Sequence, residues 1–174
     1  MPLVAFFKGV NVCGHKTFRP SMLAQELSDF DVVNIGAAGT FVIRKPVSRE
    51  RLKKEILNRL PFKAAVIFCY GREILQLGSE NPFEHQPSRP NIVRFVSVAE
   101  KRPHSLPALP ITLPSGGRWC LRVIALQGQF VLGLYRREMK AIGFLSQLEK
   151  VIGVPLTTRN WNTLCSIARV LGER

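Results

Sequence analysis

The strongest constraint on the fold is the order in which two hydrophobic periods alternate along the first half of the chain. Leu3 to Lys8 reads as an apolar strand. Pro20 to Asp29 carries Leu23 and Leu27 four residues apart, with Phe30 beyond. Pro20 sits at the first helical position, where its missing N–H is one the helix would not have used. Val32 to Ile35 and Phe41 to Arg44 read as strands joined by the turn Gly36 to Gly39. Ser48 then caps a helix that turns Leu52, Ile56 and Leu60 inward and Lys53, Lys54 and Arg59 outward. Ala64 to Tyr70 is almost continuously apolar, the pattern of a strand buried on both faces. A helical turn from Arg72 to Ser79 and the breaker Asn81-Pro82 close this part. The order βαββαβ predicts a ferredoxin-like arrangement, one antiparallel sheet with two helices on one face.

Gln86-Pro87-Ser88-Arg89-Pro90 reads as a linker. It divides the chain into a ferredoxin-like α+β domain over residues 1–86 and a second α+β domain over 87–174, a tandem in which the second is a degenerate relative of the first. The second domain opens with an alternating strand, Asn91 to Val98. A loop from Lys101 to Pro114 follows, whose Pro103, Pro107, Pro110 and Pro114 exclude a helix or a central strand. Arg118 to Leu126 and Gln129 to Tyr135 predict a hairpin about Gln127-Gly128. Arg118, Arg122 and Arg136 would make a basic stripe on one face or guard an edge. A helix from Phe144 to Ile152 and a terminal helix complete the chain.

An apolar fraction of 46% and a charged fraction of 21% exclude a disordered chain. No apolar run approaches the roughly 18 residues of a membrane span, and Lys8 interrupts the amino-terminal apolar stretch, so neither a span nor a leader is expected. A cytoplasmic address follows by elimination, with no membrane partner. Cys13, Cys69, Cys120 and Cys165 show no C-x-x-C spacing, which predicts neither metal nor disulfide. Cys69, Cys120 and Cys165 sit in apolar patterns, whereas Cys13 stands two residues before His15 in a polar loop. The charge is uneven. A formal +13 is split between 12 basic and 8 acidic residues in 1–86 and 13 basic and 4 acidic in 87–174. That excess favours contact with phosphate-bearing small molecules or nucleic acid.

The loop Gly9 to Thr17, GVNVCGHKT, has no P-loop spacing, because His15 separates Gly14 from Lys16 and Pro20 delays the helix. A looser anion nest assisted by Lys16 fits it, as does a plain tight turn. The third strand lacks the glycine and aromatic alternation of an RNA-recognition sheet. The scattered acids form no acid/base motif, and no motif calls for a cofactor. Near the carboxyl end, Thr157 to Thr163 reads TTRNWNT, and Trp161, Leu164, Cys165, Ala168 and Leu171 follow at helical spacing. Thr157, Thr158 or Asn160 supplies the N-cap.

Three strings, KGVNVCGHKTFRPSML, GAAGTFVI and TTRNWNT, carry a resemblance to the bacterial domain-of-unknown-function family numbered 1697. The resemblance extends over essentially the whole chain and implies a two-part α+β protein of ferredoxin-like character. It departs where Cys13 replaces a second glycine and where Ala38, Gly39 and Thr40 replace an SGN-like turn. It implies no substrate, because that family has no settled biochemical role.

The site expectation joins the two least core-like strings. Lys8, Asn11, Lys16 and Arg159 would hold an anion, Asn160 and Asn162 would orient a phosphate-bearing ligand, and Trp161 would offer a flat surface or pack beneath. One alternative is an enzyme in which His15 is the base and Lys16 steadies an oxyanion. Another is a basic interaction module formed by the second half.

Overall fold

The structure, a computed structural model, describes residues 1–11, 14–105 and 107–173. The chain is α+β and forms two compact units, Met1–Ser79 with Cys165–Arg174, and Glu80–Leu164. The sequence reading places the division after residue 86; the contacts place it at Ser79 and return the last ten residues to the first unit.

In the first unit the chain runs through β1 (Leu3–Lys8), α1 (Pro20–Glu26), β2 (Val32–Asn34), β3 (Thr40–Ile43), α2 (Arg49–Arg59), β4 (Ala65–Tyr70) and α3 (Gly71–Glu80). The sheet is antiparallel throughout, in the order β2-β3-β1-β4. Alternate residues Leu3, Ala5 and Phe7 of β1 meet Leu23 and Leu27 from the first crossover and Leu52 and Ile56 of α2 in one core. Each large apolar side chain so buried contributes roughly 1.5–3 kcal/mol. The alternate set Val4, Phe6, Val42, Ile67 and Cys69 is buried too, which is why these strands lack a polar face. Ser48 caps α2 as expected, its Oγ accepting from the Arg51 N–H at 3.2 Å.

The second unit contains β5 (Ile92–Ala99), β6 (Ile111–Leu113), β7 (Leu121–Gln127), β8 (Phe130–Arg136), α4 (Lys140–Ile152), β9 (Leu156–Asn160) and the amino end of α5 (Trp161–Gly172). Its antiparallel sheet has the order β6-β7-β8-β5-β9. Phe95, Leu121, Val123 and Val131 pack with Leu148 and Ile152 of α4 and Leu156 of β9. Gly133 of β8 is compulsory, since a Cβ there would lie 2.5 Å from both the Arg122 carbonyl oxygen and Phe95 Cζ.

Several expectations need correction. The first helix stops at Glu26 and a 3-10 turn, Ser28–Phe30, follows it. The turn expected at Arg72 to Ser79 is the full helix α3, and α4 begins at Lys140, a turn before Phe144. Inside the proline-rich loop Ile111–Leu113 forms β6, which as an outer strand tolerates the flanking prolines. Leu156–Asn160 is an edge strand, so TTRNWNT is half strand and half helix. The buried positions of α5 are Leu164 and Ile167, while Cys165 is exposed. Arg118, Arg122 and Arg136 form no free stripe. Arg118 pairs with Glu138 at 3.0 Å, and the guanidiniums of Arg122 and Arg136 lie 4.6 and 4.4 Å from the Trp119 ring centroid.

Candidate functional site

The expected site residues fall into two groups, one in each unit, and each is described in its own unit. In the first, Lys8 ends β1 opposite Ala65. Asn11 has a left-handed φ of 53°, and both the nitrogen and the oxygen of its side-chain amide make hydrogen bonds. Its Nδ2 donates to the Ala37 carbonyl and its Oδ1 accepts from the Phe18 N–H, each at 2.9 Å. Asn11 therefore ties the loop after β1 to the turn between β2 and β3, and these two bonds organise the backbone. His15 and Lys16 are exposed, and no described carboxylate orients His15. The acid/base alternative loses the orienting partner that it requires. Cys13, and with it part of the anion nest, lies outside the described residues.

In the second unit the strand geometry of β9 separates neighbours in TTRNWNT. Asn160 stands opposite Phe95 and Arg159 opposite Val96, so their side chains leave on opposite faces of the sheet. Arg159 is only 9% exposed. Its Nη1 donates to Thr157 Oγ1 at 3.0 Å and to the Thr158 carbonyl at 2.9 Å. Burial holds its pKa down to about 10. It is an internal cation supporting its own strand and does not face a ligand as expected.

Asn160, Trp161 and Asn162 do line a recess of about 200 Å³, shared with Ser88, Arg89, Arg94 and Arg137. Asn160 is the N-cap of α5, its Oδ1 accepting from the Thr163 N–H at 2.9 Å and the Thr163 hydroxyl at 3.1 Å. Trp161 is half-buried and its ring leans on Phe83, centroids 5.1 Å apart at 60°. The arginines are held to different degrees. Arg94 Nη2 donates to the Gln86 carbonyl at 2.9 Å, and Arg137 Nε donates to the Pro90 carbonyl at 2.9 Å. These bonds fix residues 86–90 along the sheet and leave the Nη groups of Arg137 uncommitted to that contact. Arg89 is exposed, and its guanidinium makes no hydrogen bond or ion pair among the described residues. No carboxylate lines the recess.

Sequence reasoning missed all three arginines. Arg89 lies inside the segment read as a linker, Arg94 within the alternating strand Asn91 to Val98, and Arg137 follows the hairpin without a motif. The one available signal was the excess of positive charge beyond residue 86. Among the described residues no group of three His, Cys, Asp or Glu side chains could hold a metal ion, and no helix is long and apolar enough to cross a membrane.

No family model and no curated protein matches the chain. Among solved structures it is similar to a conserved bacterial protein, SP0830 from Streptococcus pneumoniae, with a TM-score of 0.60 at 13% identity over 98% of each chain. At that identity the likeness concerns the fold alone.

Proposed function

We propose that the recess formed by Arg89, Arg94, Arg137, Asn160, Trp161 and Asn162 binds a phosphate-bearing ligand, a nucleotide or a nucleic acid. The observation that carries this reading is the convergence of three arginines on one concavity that no carboxylate lines. Three clustered cations without a counter-charge raise the local positive potential, and an anion with several oxygens meets it through forked, charge-assisted hydrogen bonds. The orphan amides at the start of α5 add partial positive charge at the same place. Of the residues expected from sequence, Asn160, Trp161 and Asn162 line this recess, and the Arg159 side chain is turned onto its own strand.

The shared strand order of the two units supports reading each as ferredoxin-like. The KGVNV and TTRNWNT strings support kinship with family 1697. The free thiols of Cys69, Cys120 and Cys165 support a reducing, cytoplasmic setting.

A thermal-shift screen of the intact protein against inorganic phosphate, sugar phosphates, nucleotides and short oligonucleotides tests the reading, because a ligand of the native state raises the melting temperature. Arg89→Ala is expected to weaken the responding ligand roughly tenfold while leaving the unliganded melting temperature unchanged, since this side chain supports nothing else. An unaltered response in that variant would move the site elsewhere.

A further inference from the structure

We infer that the occupant is the phosphorylated end of a single-stranded nucleic acid, its terminal phosphate on Arg89 and Arg137 and its last base against Trp161; this rests on the phosphate-binding reading above. Trp161 shares the recess with the guanidinium side chains, and Phe83 packs on the indole with the two ring planes inclined at 60°. A sugar ring offers an indole only a patch of C–H groups, whereas every base has a full π-face. Stacking of a base on an aromatic side chain changes affinity roughly five- to a hundredfold.

Size and charge narrow the class. A recess of about 200 Å³ is smaller than the roughly 300–1,000 Å³ of pockets that enclose a drug-sized molecule, so it houses one end of a ligand whose remainder lies over the surface. Residues 87–174 carry 13 basic and 4 acidic side chains, and a polyanion gains from that surface as a free mononucleotide cannot. A terminal phosphomonoester carries roughly −1.5 to −2 charges near neutral pH and three acceptor oxygens, the better match to more than one guanidinium. A duplex end is a poor fit, because its last base is already paired and stacked.

The test uses the full chain and fluorescence anisotropy with labelled single-stranded oligonucleotides of four kinds: 5′-phosphorylated, 3′-phosphorylated, unphosphorylated, and phosphorylated with an abasic terminal position. One phosphorylated end is expected to bind at least about tenfold tighter than the unphosphorylated strand. The abasic end is expected to lose roughly five- to a hundredfold. Trp161→Leu should reproduce that loss on the normal strand and add none on the abasic one. The abasic probe examines the same contact in the unmodified protein, so the outcome does not depend on how well the variant folds. Equal affinity for phosphorylated and unphosphorylated strands, or no penalty for the missing base, overturns the inference. If inorganic phosphate and sugar phosphates bind and no oligonucleotide binds more tightly, the nucleic-acid assignment fails and the phosphate site stands. If no phosphate-bearing probe binds, both fail.

Discussion

The two units solve one packing problem with different parts. With the outer strand β6 set aside, β2-β3-β1-β4 and β7-β8-β5-β9 are both second-third-first-fourth in order of appearance. In the first unit the link between first and second strands is α1, which delivers Leu23 and, just past its end, Leu27 to the core. In the second, four prolines prevent a helix, and the link instead lays β6 along the outer edge of β7, delivering Ile111. A sheet face must be covered by apolar atoms, and the geometry that brings them is secondary to their delivery. The sites differ as well. The loop after β1 uses its side-chain amide, Asn11, in holding itself together, whereas the start of α5 opens on a recess whose arginines are only partly engaged.

The largest effect should come from removing the helical cover. Leu23→Ala is expected to cost about 3–4 kcal/mol in urea unfolding, and Ile111→Ala, from a two-sided but outer strand, about 2 kcal/mol. A negligible cost for Ile111→Ala would break the equivalence of the two links. Next come the two crowded glycines. Gly133→Ala must push against backbone and a fixed ring, at about 2–3 kcal/mol, whereas Gly71→Ala meets only the end of the flexible Leu171 side chain at 2.8 Å and should cost under about 1 kcal/mol. Equal costs would mean that the sheet of the second unit yields as readily as a leucine.

Smaller effects separate the helix starts. Asn160→Ala and Ser48→Ala each remove a side-chain acceptor from a first turn, at about 1 kcal/mol in thermal unfolding. Only the former should also weaken phosphate binding. The least effect concerns Arg159. Its folded pKa of about 10 lies below the ordinary guanidinium value, so between the two the unfolded chain holds more protons and stability rises with pH. Urea midpoints for the native protein should therefore rise relative to Arg159→Met as pH passes through about 10; a parallel pH dependence would show that burial does not disfavour this cation.

Much of the architecture was legible because local rules sufficed. Period-two spacing and continuous apolar runs located the strands of the first half to within about a residue, as in Leu3–Lys8 and Ala65–Tyr70. The polar strand Leu156–Asn160 escaped because its identity depends on pairing with β5, sixty residues away in sequence, and not on its own composition. The same lapse misplaced Arg159, since a residue assigned to a helix mouth points outward but one on a strand takes whichever face its register dictates.

By itself, then, the amino-acid order determined which segments are apolar, where prolines forbid helix, that Ser48 and Asn160 are able to cap, and that the second half is strongly basic. Only tertiary structure decided which cations face outward together. Arg89, Arg94 and Arg137 are distant in sequence or unmarked by motif, and they converge because antiparallel register sets Ile92 against Arg136 and Phe95 against Asn160. Register is a property of paired strands, and no single strand encodes it.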